Sequence, residues 1–337
     1  MSRLSSVPAP VRTAAPYGVF VAVLLCVPAV FTRVPFFTMA TAVQMAILAI
    51  ATLGLILLAG FAGQISIGQA AFYGIGAYAS AILTTEVGLS PILGMVVGMV
   101  LCGAVAWVVG SFIFRVRGHY LALATLAFGL MMGNIARQLE ITGGASGIVD
   151  IPKLALGPLI VGSDLRYFYF VAVILLVLTV LARNLVRSLF GRSLRALGDS
   201  EIAAASSGVG VAGHKRAVFV VAAVYASIAG SLYAHWVTFV DYHTLDLLLS
   251  IQLLIMATVG GLRTVWGAPV GAFLVLTLSQ LAKELLPRIS ANVGGQFEIA
   301  VYGLALILVL LLMPRGVAGA VVDAFRSRRA EVREPVS

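Results

Sequence analysis

The sequence predicts an all-α fold, a polytopic bundle of about 8–10 transmembrane helices with broken or re-entrant segments and one short helix outside the membrane. Three observations predict it. Of the 337 residues, 61% are hydrophobic and only 10% are charged, whereas a soluble domain carries about a quarter charged residues. A mean hydropathy of +1.07 leaves too little polar surface to cover the molecule against water. Finally, the Lys and Arg residues behind the net charge of +9 sit in clusters between apolar runs, the pattern of an orientation signal rather than of a nucleic-acid surface.

Apolar runs of roughly 17–25 residues are long enough to cross the hydrocarbon core. Clear ones extend from Phe36 to Ala59, Pro91 to Phe114, Tyr167 to Ala182, Ala217 to Trp236, Leu247 to Gly261, Gly267 to Ala282 and Phe297 to Met313. The run Tyr17 to Thr32 follows Arg3 and Arg12 like a signal peptide, but Val27-Pro28-Ala29 is a poor cleavage site, so an uncleaved span is expected. Ile65 to Leu83 is interrupted by Gly68, Gly74 and Gly76, and Tyr120 to Ala136 is bounded by His119 and Arg137. Both are candidates for broken or re-entrant segments. A ten-span arrangement with both termini inside puts sixteen Lys and Arg residues in the cytoplasm and six outside, in line with the positive-inside rule. It divides the chain into a tail (1–16), one membrane domain (17–316) with an outer loop (139–166) and a cytoplasmic loop (183–216), and a basic tail (317–337). Cys26 and Cys102 stand alone in apolar runs and read as packing residues.

The cytoplasmic loop carries the first candidate site. Gly191-Arg192-Ser193-Leu194-Arg195-Ala196-Leu197-Gly198 forms basic turns leading into a short helix. Asp199 or Ser200 can cap its start, Glu201 suits the positive end of its dipole, and Gly208 can take the left-handed stop conformation. Ala203 and Ala204 give it a smooth face suited to docking in a groove of another protein, although an ordinary amphipathic connector is an equal reading from these residues alone. The neighbouring Gly208-Val209-Gly210-Val211-Ala212-Gly213-His214-Lys215-Arg216 is not a phosphate-binding loop. Its lysine is displaced by one position, no Ser or Thr follows, and no buried strand precedes it.

The second candidate is the stretch Gly60 to Tyr78. Gly63, Gly68 and Gly74 allow backbones to approach, while Gln64, Ser66 and Gln69 would be costly against lipid and must face protein or a path. With Tyr78, these residues are candidates for a translocation route. A helix broken here would offer free amides to a substrate carboxylate, and close helix packing with interhelical hydrogen bonds is the competing reading. Thr142-Gly143-Gly144-Ala145-Ser146-Gly147-Ile148 reads as a flexible turn of the outer loop, and Gly260 to Pro269 as an inner hairpin with Trp266 as an interfacial anchor and Gly267 and Gly271 as close-packing sites.

Ionisable residues such as Glu86, Glu140, Asp164, Asp241, His243, Asp246, Glu284 and Glu298 fall near the ends of expected spans, so no proton relay is evident. No HExxH, GxSxG or paired-carboxylate pattern supports an enzyme or a metal site.

The run Gly63 to Phe72, the run Arg117 to Gly129, the Thr142-Gly143-Gly144 turn and Gly191 to Ala196 together resemble the permeases of branched-chain amino acid ABC importers, most closely the M-type subunit, over about Phe36 to Gly316. The resemblance implies that the loop 183–216 is the coupling segment that contacts an ATPase, with Arg192, Arg195, Asp199, Glu201, Ala203, Ala204 and Gly208 in it and Ile202 separating Glu201 from the alanine pair. It implies a second, H-type permease, two cytoplasmic ATP-binding subunits that carry ATP and Mg while this chain carries no cofactor, an external or periplasmic substrate-binding protein, and a bacterial inner-membrane location. Branched-chain or related amino acids are the implied cargo. Urea, amides or aromatic acids on the same machinery, or a stand-alone secondary carrier or channel, remain as alternatives.

Overall fold

The computed structural model describes residues 9–31, 37–114, 120–156, 159, 160, 162–289, 303, 316 and 317. The span expected at Phe297 to Met313 lies outside the described residues apart from Gly303, as do residues 1–8, 115–119 and 318–337. Eleven helices are described: α1 (Ala9–Phe31), α2 (Met39–Leu55), α3 (Gln69–Thr85), α4 (Pro91–Ile113), α5 (Tyr120–Gln138), α6 (Asp164–Arg187), α7 (Leu189–Asp199), α8 (Glu201–Ser206), α9 (Val211–Val237), α10 (Leu247–Gly260) and α11 (Gly267–Ile289). The only strands among the described residues are a two-residue ladder, Ala155–Leu156 against Leu159–Ile160.

Local signals set the helix starts. Thr38 accepts a hydrogen bond from the Thr41 amide to begin α2, Pro91 opens α4, and Ser163 accepts from the Arg166 amide to begin α6. The last turn of α2 widens into a π-helical turn, Ile56–Phe61, and together they form one span, Met39–Phe61. Among the described residues, five helical stretches are long and apolar enough to cross a membrane: this one, α4, α5, α6 and α9.

Two segments depart from the expected spans. Tyr120 to Ala136 is neither broken nor re-entrant, because α5 runs unbroken through it to Gln138. Leu247 to Gly261, expected to cross fully, holds a helix of only 14 residues. At 1.5 Å per residue this covers about 21 Å, short of the roughly 30 Å hydrocarbon core. The chain reaches its start through a 3-10 turn, Tyr242–Leu245, which dips between α3 and α5 and sets Leu245 against Gly74 and Gly133. Ile65 to Leu83 is broken only at its start: residues 63–68 are non-helical, but α3 begins at Gln69 and runs unbroken through Gly74 and Gly76, whose missing side chains serve close packing instead.

α2 and α9 form the centre of the bundle, with 89% and 72% of their apolar windows buried, while α4 and α5 lie at its edge with 22% and 28% buried. Val100, Trp107 and Phe112 on α4 point outward, as side chains facing lipid tails or another subunit do. α3 lies along α9 at backbone distance: a Cβ on Gly230 would come within 1.8 Å of the Tyr73 carbonyl oxygen, and one on Gly76 within 2.3 Å of that of Ser227. Cys102 packs in this core, its thiol directed at the Phe72 and Ala223 carbonyls. Cys26, read from sequence as a packing residue, is exposed on α1 because its helix lies at the margin. Trp266 sets its ring edge-on to Tyr17 and Phe20, 5.7 and 5.2 Å between centroids, pinning α1 to the α10–α11 hairpin. In that hairpin Gly267 and Gly271 make the close approach expected of them, a Cβ on Gly271 falling 1.8 Å from the Met256 carbonyl oxygen.

Candidate functional site

At one end of the bundle, α7 and α8 form a ledge between α6 and α9. The segment read as basic turns is a helix, α7, because Ser188 caps it by accepting from the Gly191 amide and Leu194 and Leu197 bury one face. Arg192 is exposed, whereas Arg195 turns back and donates to the Val186 carbonyl at 2.7 Å. Ser200, of the two capping candidates, accepts from the Ala203 amide and starts α8. Asp199 instead pairs with Arg263 of the α10–α11 hairpin at 3.0 Å. Gly208 takes φ 83° and ends the turn. The two alanines divide: Ala203 is exposed but Ala204 is buried against the bundle, so no continuous alanine face points outward. In its place stands Ile202, 82% exposed, on the same ledge as the exposed Leu189 of α7.

The ledge is joined to the broken segment. Gln64 donates through Nε2 to the Ala62 carbonyl at 3.0 Å and to Glu201 Oε1 at 3.4 Å. Lys215 of α9 donates to the same carboxylate oxygen. Gly63, at φ 67°, lies against Gly198 of α7, where a side chain would meet backbone at 3.2 Å. Gly63 and Gln64 thus belong to the α7–α8 end, not to mid-membrane. Deeper in, Ser66 accepts from the Gly68 amide, Thr125 of α5 from the Ile67 amide, and Ser250 of α10 from the Ala70 amide. The amides expected to be free for a substrate carboxylate are therefore largely taken by protein hydroxyls, because three elements converge on the start of α3. Gln69, fully buried, donates to the Ala222 carbonyl at 2.8 Å and leaves its own Oε1 without a partner. Gly74 gives room to Leu245, and the hydroxyl of Tyr78, also buried, has no partner among the described residues.

Near the opposite end, a cavity of about 170 Å³ opens between α2, α3, α9 and α10. Its polar lining is Gln44, Tyr73, Tyr233, Asp241, His243, Thr244 and Gln252. The Tyr73 and Tyr233 rings lie 5.8 Å apart, and Gln44 and His243 are exposed at its rim. Among the described residues the Asp241 carboxylate accepts no hydrogen bond and meets no cation; only its main-chain carbonyl is engaged, by Thr244. The outer-loop turn holds this wall in place. Ile148 and Val240 exchange backbone hydrogen bonds of 2.8 and 3.0 Å, and Gly147, at φ 71°, fits against Val240 and Asp241. The turn read as flexible is packed, with Gly143 and Gly144 also left-handed and Thr142 capping the end of α5. His235 ties the rest of the loop down: its Nδ1–H donates to the Pro152 carbonyl at 2.8 Å, which leaves Nε2 to accept from Ser80, also at 2.8 Å.

Residues 37–313 match the family described as the branched-chain amino acid transport system permease component. This chain belongs to that permease family. Among curated proteins, this permease-family chain is similar to the high-affinity branched-chain amino acid transport system permease protein LivM of Escherichia coli strain K12, 28% identical over 288 residues. It resembles LivM of Salmonella typhimurium strain LT2 to the same degree over 293 residues. Each match covers 78% of this chain and 66% of the relative. No solved structure matches it. The chain is a multi-pass membrane protein by its family and its apolar helices.

In this permease-family chain, the residues singled out from sequence do not form one cluster. Gln64 and Glu201 meet at the ledge, Gly68 and Gln69 lie within the bundle, and Tyr78 packs in a small second core with Val240 and Leu245. In the sequence the cavity residues Asp241 and His243 fall at span ends, and Ile202 stands only as the residue that separates Glu201 from the alanine pair. One signal pointed to the cavity: the apolar run after Asp246 is shorter than the roughly 17 residues a full crossing needs, so its polar approach had to enter the bundle.

Proposed function

We propose that this chain is one membrane-spanning half of an ATP-driven importer for branched-chain or related amino acids, and that it is not itself an enzyme. In this reading a second permease completes the path, two ATP-binding subunits holding ATP and Mg dock on the α7–α8 ledge, and an external binding protein delivers substrate at the opposite end. The ledge faces the cytoplasm of a bacterial inner membrane. The names of the relatives support the transport role and cargo, and the family supports the division of labour among subunits.

The observation that carries the reading is the joint at Gln64. A short capped helix presents an exposed apolar knob, Ile202, and the adjacent Glu201 is bonded to the segment on which α3 begins. When ATP closes the motor subunits, displacement of α8 is passed through Glu201 and Gln64 to residues 63–68 and so to the start of α3, which shifts the balance between outward- and inward-open forms. Arg192, Ala203 and Ile202 form the docking surface, while Arg195, Asp199, Ala204 and Gly208 hold its shape.

The test is the pair Ile202→Arg and Ala203→Arg in the complete complex. Both side chains are exposed, so the fold survives. Loss of an apolar anchor from a docking groove costs about 2 kcal/mol or more, so co-purification of the ATP-binding subunits falls well over tenfold and uptake falls with it. Undiminished subunit assembly and uptake in the double variant would refute the proposal.

A further inference from the structure

We infer that the cavity beside Asp241 is a substrate subsite that selects solutes carrying an ammonium group, an assignment that rests on the amino-acid transport reading above. Three observations converge on it. The cavity, about 170 Å³, lies below the roughly 300–1,000 Å³ of clefts for drug-sized ligands and suits a small solute. Its one carboxylate, Asp241, is uncompensated among the described residues although it is half-buried among membrane helices, where an ionised group without a partner is costly. Its lining combines the apolar side chains of Ile47, Leu48 and Leu249 with the amides of Gln44 and Gln252.

An aliphatic α-amino acid satisfies all of these at once. Its ammonium pairs with Asp241, its carboxylate takes amide N–H groups from Gln44 or Gln252, and its side chain rests on Ile47, Leu48 and Leu249. The same carboxylate repels aromatic and other organic anions that lack an amine, and offers a neutral amide or urea no charge pair. The position suits a first station for solute handed over from outside, because the cavity wall is held by the outer-loop turn through Gly147 and by the Ile148–Val240 bridge. It also lies on the approach to α10, beside the 3-10 turn that packs on α3, so occupancy bears on the elements that meet the broken segment.

The experiment uses the complete transporter reconstituted in vesicles, with the exposed Cys26 replaced by Ser and Leu249→Cys as reporter on the cavity wall. The rate of modification by a small hydrophilic thiol reagent is measured against leucine and against 4-methylpentanoate, which has the same skeleton without the amine. Leucine slows modification and 4-methylpentanoate does not. Asp241→Asn raises the half-protecting leucine concentration about tenfold, the loss of one charge-assisted hydrogen bond, while Asp241→Glu retains most of the protection. Equal protection by both solutes, unchanged leucine protection in Asp241→Asn, or a cysteine that the reagent never reaches would each overturn the subsite. Leucine uptake is scored separately in vesicles whose transporter keeps Leu249. Uptake without protection overturns the subsite alone, and absence of uptake overturns the transport reading and the subsite with it.

Discussion

Lys215 exposes only 10% of its side chain, and its charge is neutralised by Glu201, itself 46% exposed. The two partners are therefore not equivalent. Removing the carboxylate strands a buried ammonium, whereas replacing the lysine by an apolar side chain of similar length frees a carboxylate that water can reach. Glu201→Gln lowers stability by about 1–3 kcal/mol, less than for a fully buried pair because water screens Glu201. Lys215→Met costs less, and the double variant recovers part of the loss. Thermal unfolding midpoints of the purified complex decide the matter: equal shifts for the two single variants contradict the buried-charge account. Because Gln64 donates to the same carboxylate, Glu201→Ala, which removes the acceptor, also slows uptake beyond its effect on stability, while Lys215→Met leaves the Gln64 link in place.

At the scale of elements, α3 and α9 approach so closely that glycine is required at the crossing. A methyl group on Gly230 would meet the Tyr73 carbonyl at 1.8 Å, and backbone cannot yield as a flexible side chain does. Gly230→Ala forces the helices apart at a cost of about 1–3 kcal/mol, whereas Gly103→Ala, whose nearest neighbours are Val224 and Val220 at 3.6 and 3.8 Å, is neutral. Thermal midpoints of the two variants in detergent check this, and equal behaviour contradicts it. Close packing of this kind was legible in the glycine spacing of Gly74 and Gly76, as was the capped helix from Ser200 to Gly208, because both depend on local residue chemistry. Which way Ala204 faces was not legible, since six residues of helix contain no periodicity strong enough to fix a buried side. The short run after Asp246 signals only that its approach enters the bundle; which residues line the cavity was not legible, because Gln44, Tyr73, Tyr233, Asp241 and Gln252 are far apart in the chain and meet only through tertiary packing.

For the molecule as a whole, the two ends differ in charge. Arg183, Arg187, Arg192, Arg195, Lys215, Arg216 and Arg263 gather at the α7–α8 end, with Asp199 and Glu201 as the acidic residues among them. Several are held in place: Arg183 lies 4.6 Å from the Tyr17 ring centre and Arg216 lies 4.9 Å from that of Trp107. Among the described residues of the segments that close the opposite end, Glu86, Glu140, Asp150, Asp164, Asp241 and Asp246 outnumber Arg137, Lys153 and Arg166. Lys and Arg are retained on the cytoplasmic side during insertion, while acidic residues count for little. In the proposed function this asymmetry turns the ledge inward and puts the Asp241 cavity within reach of solute from outside, the order an importer needs. Two exposed positions test this in intact cells with Cys26 replaced by Ser and Cys102 buried: Ala145→Cys in the outer-loop turn and Ser207→Cys at the end of α8. A membrane-impermeant maleimide labels Ala145→Cys in intact cells and Ser207→Cys only after the membrane is opened. The reverse pattern would turn the molecule over, put the ledge out of reach of any cytoplasmic motor, and remove the physical basis for coupling through Gln64.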